Sequence, residues 1–167
     1  MSYSRARVSS AGSSTGNATA AKLRVFFDSD VLIAGSASKT HSSASYLLLQ
    51  LAELTLIEGL ISPYVREEVE RNLQAKLPQA LPVFRALVQT ALVEAPDPPL
   101  AALARWTGRA DPKDLPVLAA AISNDCHYLV TFNIKDYPNP PQSLEVLPPG
   151  ELVRRVRQRL AELAELE

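Results

Sequence analysis

Short blocks of consecutive apolar residues alternate along this chain with longer stretches in which apolar residues recur every three or four positions. That is the pattern of buried strands separated by amphipathic helices. Leu23, Val25, Phe26 and Phe27 form the first block, which ends at Asp28 and predicts a strand buried on both faces. Ser42 and Ser43 supply caps for a helix carrying Tyr46, Leu47, Leu48, Leu51 and Leu54, which leads into a second apolar run from Leu54 to Ile61. Strand, helix, strand reads as a βαβ unit. Ser62 and Pro63 suit the cap and first position of a further helix with Val65, Val69 and Leu73 on one face, closed by Pro78.

The second half continues in the same way. A helix is predicted over Pro82 to Ala91, a short strand near Leu92 and Val93, a proline-rich break at Pro96, Pro98 and Pro99, and a short helix from Leu100 to Trp106. Asp111-Pro112-Lys113-Asp114 leads into a helix striped by Leu115, Leu118, Ala119 and Ile122, with Asp111 the better cap. Tyr128 to Thr131 reads as a central strand and Leu144 to Leu147 as an edge strand. Leu152, Val156, Leu160 and Leu163 mark an amphipathic C-terminal helix. The fold class is therefore α/β, with a parallel sheet covered on both faces, and no internal repeat is visible.

Composition narrows the picture. At 167 residues the chain suits one domain, and no apolar run approaches the roughly 18 residues that a membrane span needs. Residues 1–21 are rich in Ser, Gly, Ala, Thr and Asn, too poor in large apolar side chains to offset ordering entropy, and are expected to be a flexible tail. Their Arg and Ser content resembles a transit peptide, but Gly12 and Gly16 oppose the amphipathic helix that one requires. Residues 22–167 form the expected domain. Cys126 is the only cysteine, so no internal disulfide forms and a reducing, cytoplasmic setting is expected. Arg5, Arg7, Lys22 and Arg24 precede every acid, so the net charge of −1 hides a more acidic body. Overall charge thus gives no support to nucleic-acid binding, and any such function must rest on a local site.

In a parallel α/β sheet, ligands bind beyond the C-terminal ends of the strands. Asp28 stands there after the first strand, with Asp30 two residues on. Its bland alternative is a helix cap. Glu68 and Asp114, each near a helix start, would reach the same rim, although acids are favoured there by the helix dipole alone. Such carboxylates make a hard-oxygen set suited to Mg²⁺ or Mn²⁺. Thr131, Asn133, Lys135 and Asp136 follow the Tyr128 strand and add hydroxyl, amide, amine and carboxylate groups.

The combination resembles the PIN-domain family, which includes toxin ribonucleases. It is carried by Asp28 to Leu32 after an apolar strand, by Ser62 followed by Glu68-Val69, by Asp114 to Ala121, and by Tyr128 to Tyr137, in that order and over about Leu23 to Leu147. The resemblance implies a three-layer α/β/α fold and a Mg²⁺- or Mn²⁺-dependent endoribonuclease acting on single-stranded RNA. Asp28, Glu68 and Asp114 match the family's first three acids, as catalytic and metal-holding residues. The fourth falls on Asn133, with Asp136 three residues later as a further metal-holding acid, which leaves one ion or two open. Thr131, Asn133 and Lys135 would contact substrate. Relatives also imply an antitoxin partner and a homodimer. A rival resemblance is to haloacid-dehalogenase-like phosphohydrolases, in which Asp28 would attack a phosphomonoester and Asp30 would move the proton. A third reading is a catalytically silent PIN-like module that binds RNA or protein.

Overall fold

The computed structural model describes residues 21–166, so the expected tail falls almost wholly outside the described residues. Five strands form one sheet: β1 (Arg24–Phe27), β2 (Glu58–Ile61), β3 (Leu92–Glu94), β4 (Tyr128–Val130) and β5 (Glu145–Leu147). Their spatial order is β3-β2-β1-β4-β5 and every pairing is parallel. In β1 the neighbours Phe26 and Phe27 point to opposite faces of the sheet, yet neither is exposed to solvent. Helices therefore cover both sides, and the chain is a three-layer α/β/α fold.

Among the described residues, seven α-helices make the outer layers: α1 (Ser29–Ala37), α2 (Ala44–Glu53), α3 (Pro63–Lys76), α4 (Leu81–Thr90), α5 (Leu100–Arg105), α6 (Leu115–Ser123) and α7 (Pro149–Ala164). Ser43 Oγ accepts from the Tyr46 N–H and starts α2, while Ser62 Oγ accepts from the Val65 N–H at 3.4 Å and starts α3 behind Pro63. Both caps follow the sequence reading. Ser42 instead bonds Thr40.

Two departures have local causes. The first connection holds two helices, because α1 begins directly after Asp28 and is buried on several sides, so that it lacks the polar face that would reveal it. Gly35 lets α1 and α2 touch, since a Cβ there would stand 2.5 Å from Leu49 Cδ1. The second departure concerns β2, which starts at Glu58 although the apolar run starts at Leu54. Thr55 has a φ of 61°, its N–H reaches the Ala52 carbonyl, and the Leu56 N–H reaches the Leu51 carbonyl. This is a Schellman turn closing α2 without the usual glycine, and it leaves Leu54 and Leu56 exposed. Asp125, at φ 52°, closes α6 by the same two bonds, from its own N–H to Ile122 and from Cys126 N–H to Ala121.

No helix of the described residues is long and apolar enough to cross a membrane.

Candidate active site

The strand order fixes where chemistry can gather. β1 is central, so the segments that leave β2 and β4 flank the residue that leaves β1. A cleft of about 90 Å³ opens there, lined by Asp28, Asp30, Glu68, Asp114 and Asp136 together with Ser29, Tyr64, Lys113 and Asn133. Every acid singled out from sequence faces this one space.

Asp28 is buried and does cap α1: its Oδ1 accepts from the Ser29 N–H at 2.8 Å. Its other oxygen accepts from the Tyr137 hydroxyl at 2.9 Å. The helix-cap role and the site role are thus filled by different oxygens of one carboxylate. Tyr137 is buried and its acidity is strongly suppressed, first by burial and then by the charge of Asp28, so it stays a neutral donor.

Asp30 organises the loop beyond β4. Its Oδ2 accepts from the Phe132 N–H at 3.0 Å, from Asn133 Nδ2 at 3.1 Å and more weakly from Thr131 Oγ1 at 3.4 Å. Its Oδ1 is buried without a hydrogen-bond partner. Burial, and then the nearby Asp28 charge, push its pKa up to about 6. The sequence reading included Asp30 in the Asp28 to Leu32 motif but gave it a chemical role only in the phosphohydrolase rival, and its position two residues after Asp28 was the signal available for including it here.

Asp114 stands at the N-cap position of α6, but its carboxylate makes no capping hydrogen bond. Asp111 instead closes the turn that leads into the helix: its Oδ1 accepts from the Lys113 N–H and its carbonyl from the Leu115 N–H. The Asp114 carboxylate is left free, with Oδ2 buried and unpartnered, and burial followed by the charge of Asp28 raises its pKa to about 7. Glu68 lies about a turn and a half into α3 and faces the cleft, while its neighbour Glu67 is exposed. Asp136 reaches the cleft from the 3₁₀ turn Ile134–Asp136 and pairs with Lys113 Nζ at 3.7 Å.

The expected substrate contacts divide. Asn133 lines the cleft. Thr131 is wholly buried, its hydroxyl occupied between Asp30 and the Asn133 N–H, so it braces the loop and does not reach the cleft wall. Lys135 is exposed and lies outside the lining, and Lys113 is the cation that lines it. Lys113 was missed because a lone surface lysine carries no pattern. Tyr64 was also missed. Its hydroxyl donates to the Lys113 carbonyl at 2.8 Å, which ties α3 to the turn before α6.

Among the described residues, no three His, Cys, Asp or Glu side chains close on a single point tightly enough to hold an ion as they stand. Mg²⁺ is commonly bound through one or two carboxylates, with waters and substrate phosphate completing its shell. Two buried carboxylate oxygens without donors, beside a third carboxylate, fit that demand for hard oxygen, because a cation would relieve both their desolvation and their mutual repulsion.

The model of the PIN domain family matches residues 24–135. A search of curated protein sequences returns no match. Among solved structures, the chain is similar to VapBC2 from Rickettsia felis bound to a DNA fragment from their promoter. The TM-score is 0.56 at 18% identity, covering 74% of this chain and 97% of that one. It is also similar to FitAB bound to the IR36 DNA fragment, with a TM-score of 0.49 at 15% identity, covering 75% of this chain and 94% of that one. With the family match spanning every cleft acid except Asp136, the phosphohydrolase resemblance is set aside, and the chain belongs to the PIN domain family.

Proposed function

We propose that this chain is a divalent-metal-dependent endoribonuclease that hydrolyses phosphodiester bonds in single-stranded RNA, and that an antitoxin protein is the partner that silences it. The observation that carries the reading is the pair of buried, unpartnered oxygens, Asp30 Oδ1 and Asp114 Oδ2, on two acids that line one cleft with Asp28. Membership of a family of metal-dependent nucleases supports it, and the fold shared with VapBC2, a two-component complex, supports the antitoxin.

Asp28 and Asp114, with Asp30 beside them, present the oxygens that would hold Mg²⁺ or Mn²⁺. When bound, such an ion makes a water nucleophilic at neutral pH and offsets charge building on the phosphate. Glu68, in the cleft lining, would orient the attacking water. Tyr137 keeps Asp28 in position by donating to one of its oxygens. Asn133, held by Asp30, and Lys113, held loosely by Asp136, face the cleft as donors for phosphate oxygens. Asp136 adds a further carboxylate for a second ion.

The test is cleavage of unstructured RNA, structured RNA and a phosphomonoester, each with Mn²⁺ and with EDTA. Single-stranded RNA should be cut only with metal, and Asp114→Asn should lower the rate roughly 100-fold or more. Cleavage that survives chelation would sink the metal mechanism. Phosphomonoester turnover that needs Asp28 and Asp30 would restore the phosphohydrolase, and RNA binding without cleavage would mark a silent module.

A further inference from the structure

A nuclease cleft lined by five carboxylates and a single lysine offers a polyanion few cations of its own, so beyond the phosphate held at the metal the rest of the strand gains little from charge. Its bases are the further source of affinity, and base stacking on aromatic rings is indifferent to backbone charge. Two exposed aromatic residues belong to the segments that build this cleft: Tyr64 in its lining, and Phe132 in the turn immediately before the lining Asn133. Phe132 follows the wholly buried Thr131 in the turn beyond β4, and its own N–H is fixed 3.0 Å from Asp30 Oδ2. The residue is 54% exposed and does not belong to the hydrophobic core. Tyr64 lines the cleft from the first turn of α3, 38% exposed, with its hydroxyl anchored on the Lys113 carbonyl. Because β2 and β4 lie on either side of β1, Tyr64 comes from one flank of the acids and Phe132 from the other.

We infer that Phe132 and Tyr64 are nucleobase-stacking side chains, which seat the bases on either side of the scissile phosphate and so account for a preference for single-stranded RNA. This rests on the nuclease reading above. A duplex keeps its bases stacked on one another and offers neither ring a free face, whereas an unpaired strand offers both. A backbone held by Asp30 for Phe132, and a phenol held by Lys113 for Tyr64, keep the rings in place before substrate arrives, which lowers the entropy lost on binding. Both groups touch a cleft acid or its neighbour, so base position is coupled to phosphate position.

The experiment uses the full chain with Mn²⁺ and a short unstructured RNA carrying one 2-aminopurine, whose fluorescence is quenched by stacking. Steady-state cleavage is measured alongside on unlabelled RNA. Phe132→Ala should raise KM about tenfold with a much smaller change in kcat, and Phe132→Trp should restore it. Tyr64→Phe, which keeps the ring and removes the tether, should retain quenching, whereas Tyr64→Leu should lose it. Thermal melts on each variant exclude unfolding. If the chain quenches 2-aminopurine in a Phe132-dependent way but cuts nothing, stacking stands and the nuclease reading falls. If it cuts RNA with a KM and quenching that Phe132→Ala leaves unchanged, the nuclease stands and the stacking assignment is overturned. In that case the exposed ring belongs to a protein contact.

Discussion

Strand β1 carries a charged residue at its start and another just beyond its end, and the two are treated in opposite ways. At the start, Arg24 reaches Glu58 of β2 at 2.6 Å, gives its Nε proton to the Asn124 carbonyl and gives its backbone N–H to His127 Nδ1. Four residues later Asp28 faces Asp30 and Asp114, acids whose free oxygens have no donor, with Lys113 the single cation on the cleft wall. One end of the sheet is satisfied by its own side chains. The other leaves two carboxylate oxygens without a donor from the chain. Buried carboxylates left in that state destabilise the fold, which is tolerable only where the same groups are used.

The largest effect that can break this comparison is metal linkage. In EDTA, Asp114→Asn removes one charge from an oxygen that has no partner to lose, so the variant should melt at or above the wild-type temperature. Adding Mn²⁺ at a hundredfold excess over its Kd should stabilise the wild type by about 2.7 kcal/mol, a rise of roughly 5–10 °C for a chain of this size. The variant should gain little, and the order should reverse. Equal rises in both proteins would mean that the metal, if it binds, binds elsewhere. Asp28→Asn is a poorer probe, because both oxygens of Asp28 already accept hydrogen bonds that the amide would disturb.

A smaller effect follows from acidity. Asp30 and Asp114 have pKa values raised to about 6 and about 7, by burial first and then by Asp28. The folded, metal-free protein therefore holds more protons than the unfolded chain between the ordinary carboxylate range and those values, so stability falls as pH rises through that window. Below it both states are protonated, so the two groups add no pH dependence and their stability is fully retained. After allowance for screening and for coupling between the acids, the loss should be on the order of 2 kcal/mol from about pH 4 to about pH 8. Denaturant titrations in EDTA at several pH values measure it, and Asp114→Asn should flatten the slope. A metal-free protein whose stability is level or rises across that range would show that these acids are better compensated than the geometry indicates.

How much of this could be read from the residues alone depended on whether a residue's role was local. The strands were legible because Phe26, Phe27, Leu129 and Val130 must be apolar to be buried on both faces. That Asp28, Glu68 and Asp114 share one cleft was legible because each lies just past a strand or in the early turns of a helix in a recognisable motif. Helix α1 was not, since burial on several sides leaves no periodic polar face, and the end of α2 was not, since Thr55 takes a left-handed turn where glycine is the usual marker. Thr131 and Lys135 were placed on the cleft by proximity in sequence. The fold turns the first inward against Asp30 and leaves the second outside, while Lys113 and Tyr64 arrive from elements remote in sequence. A contact of that kind leaves no local trace.

The smallest effect belongs to the satisfied end of β1. Arg24 and Glu58 are each about 30% exposed by side chain, at 30% and 31%, so water screens much of their attraction despite the short contact. A double-mutant cycle with Arg24→Ala and Glu58→Ala should give a coupling of about 0.5–1 kcal/mol, which shrinks as salt is added. Arg24→Ala alone should cost more than the coupling, because it also strips the donor from the Asn124 carbonyl that lies beside the Schellman turn closing α6. The measurement is worth making twice, with EDTA and with Mn²⁺. At the Arg24 end every charge has its partner in the chain, so the coupling should be the same in both, even though the overall melting temperature moves. A coupling that changes with metal would mean that the two ends of the strand are not independent, and that the cleft's unmet charge is relieved partly through the rest of the sheet.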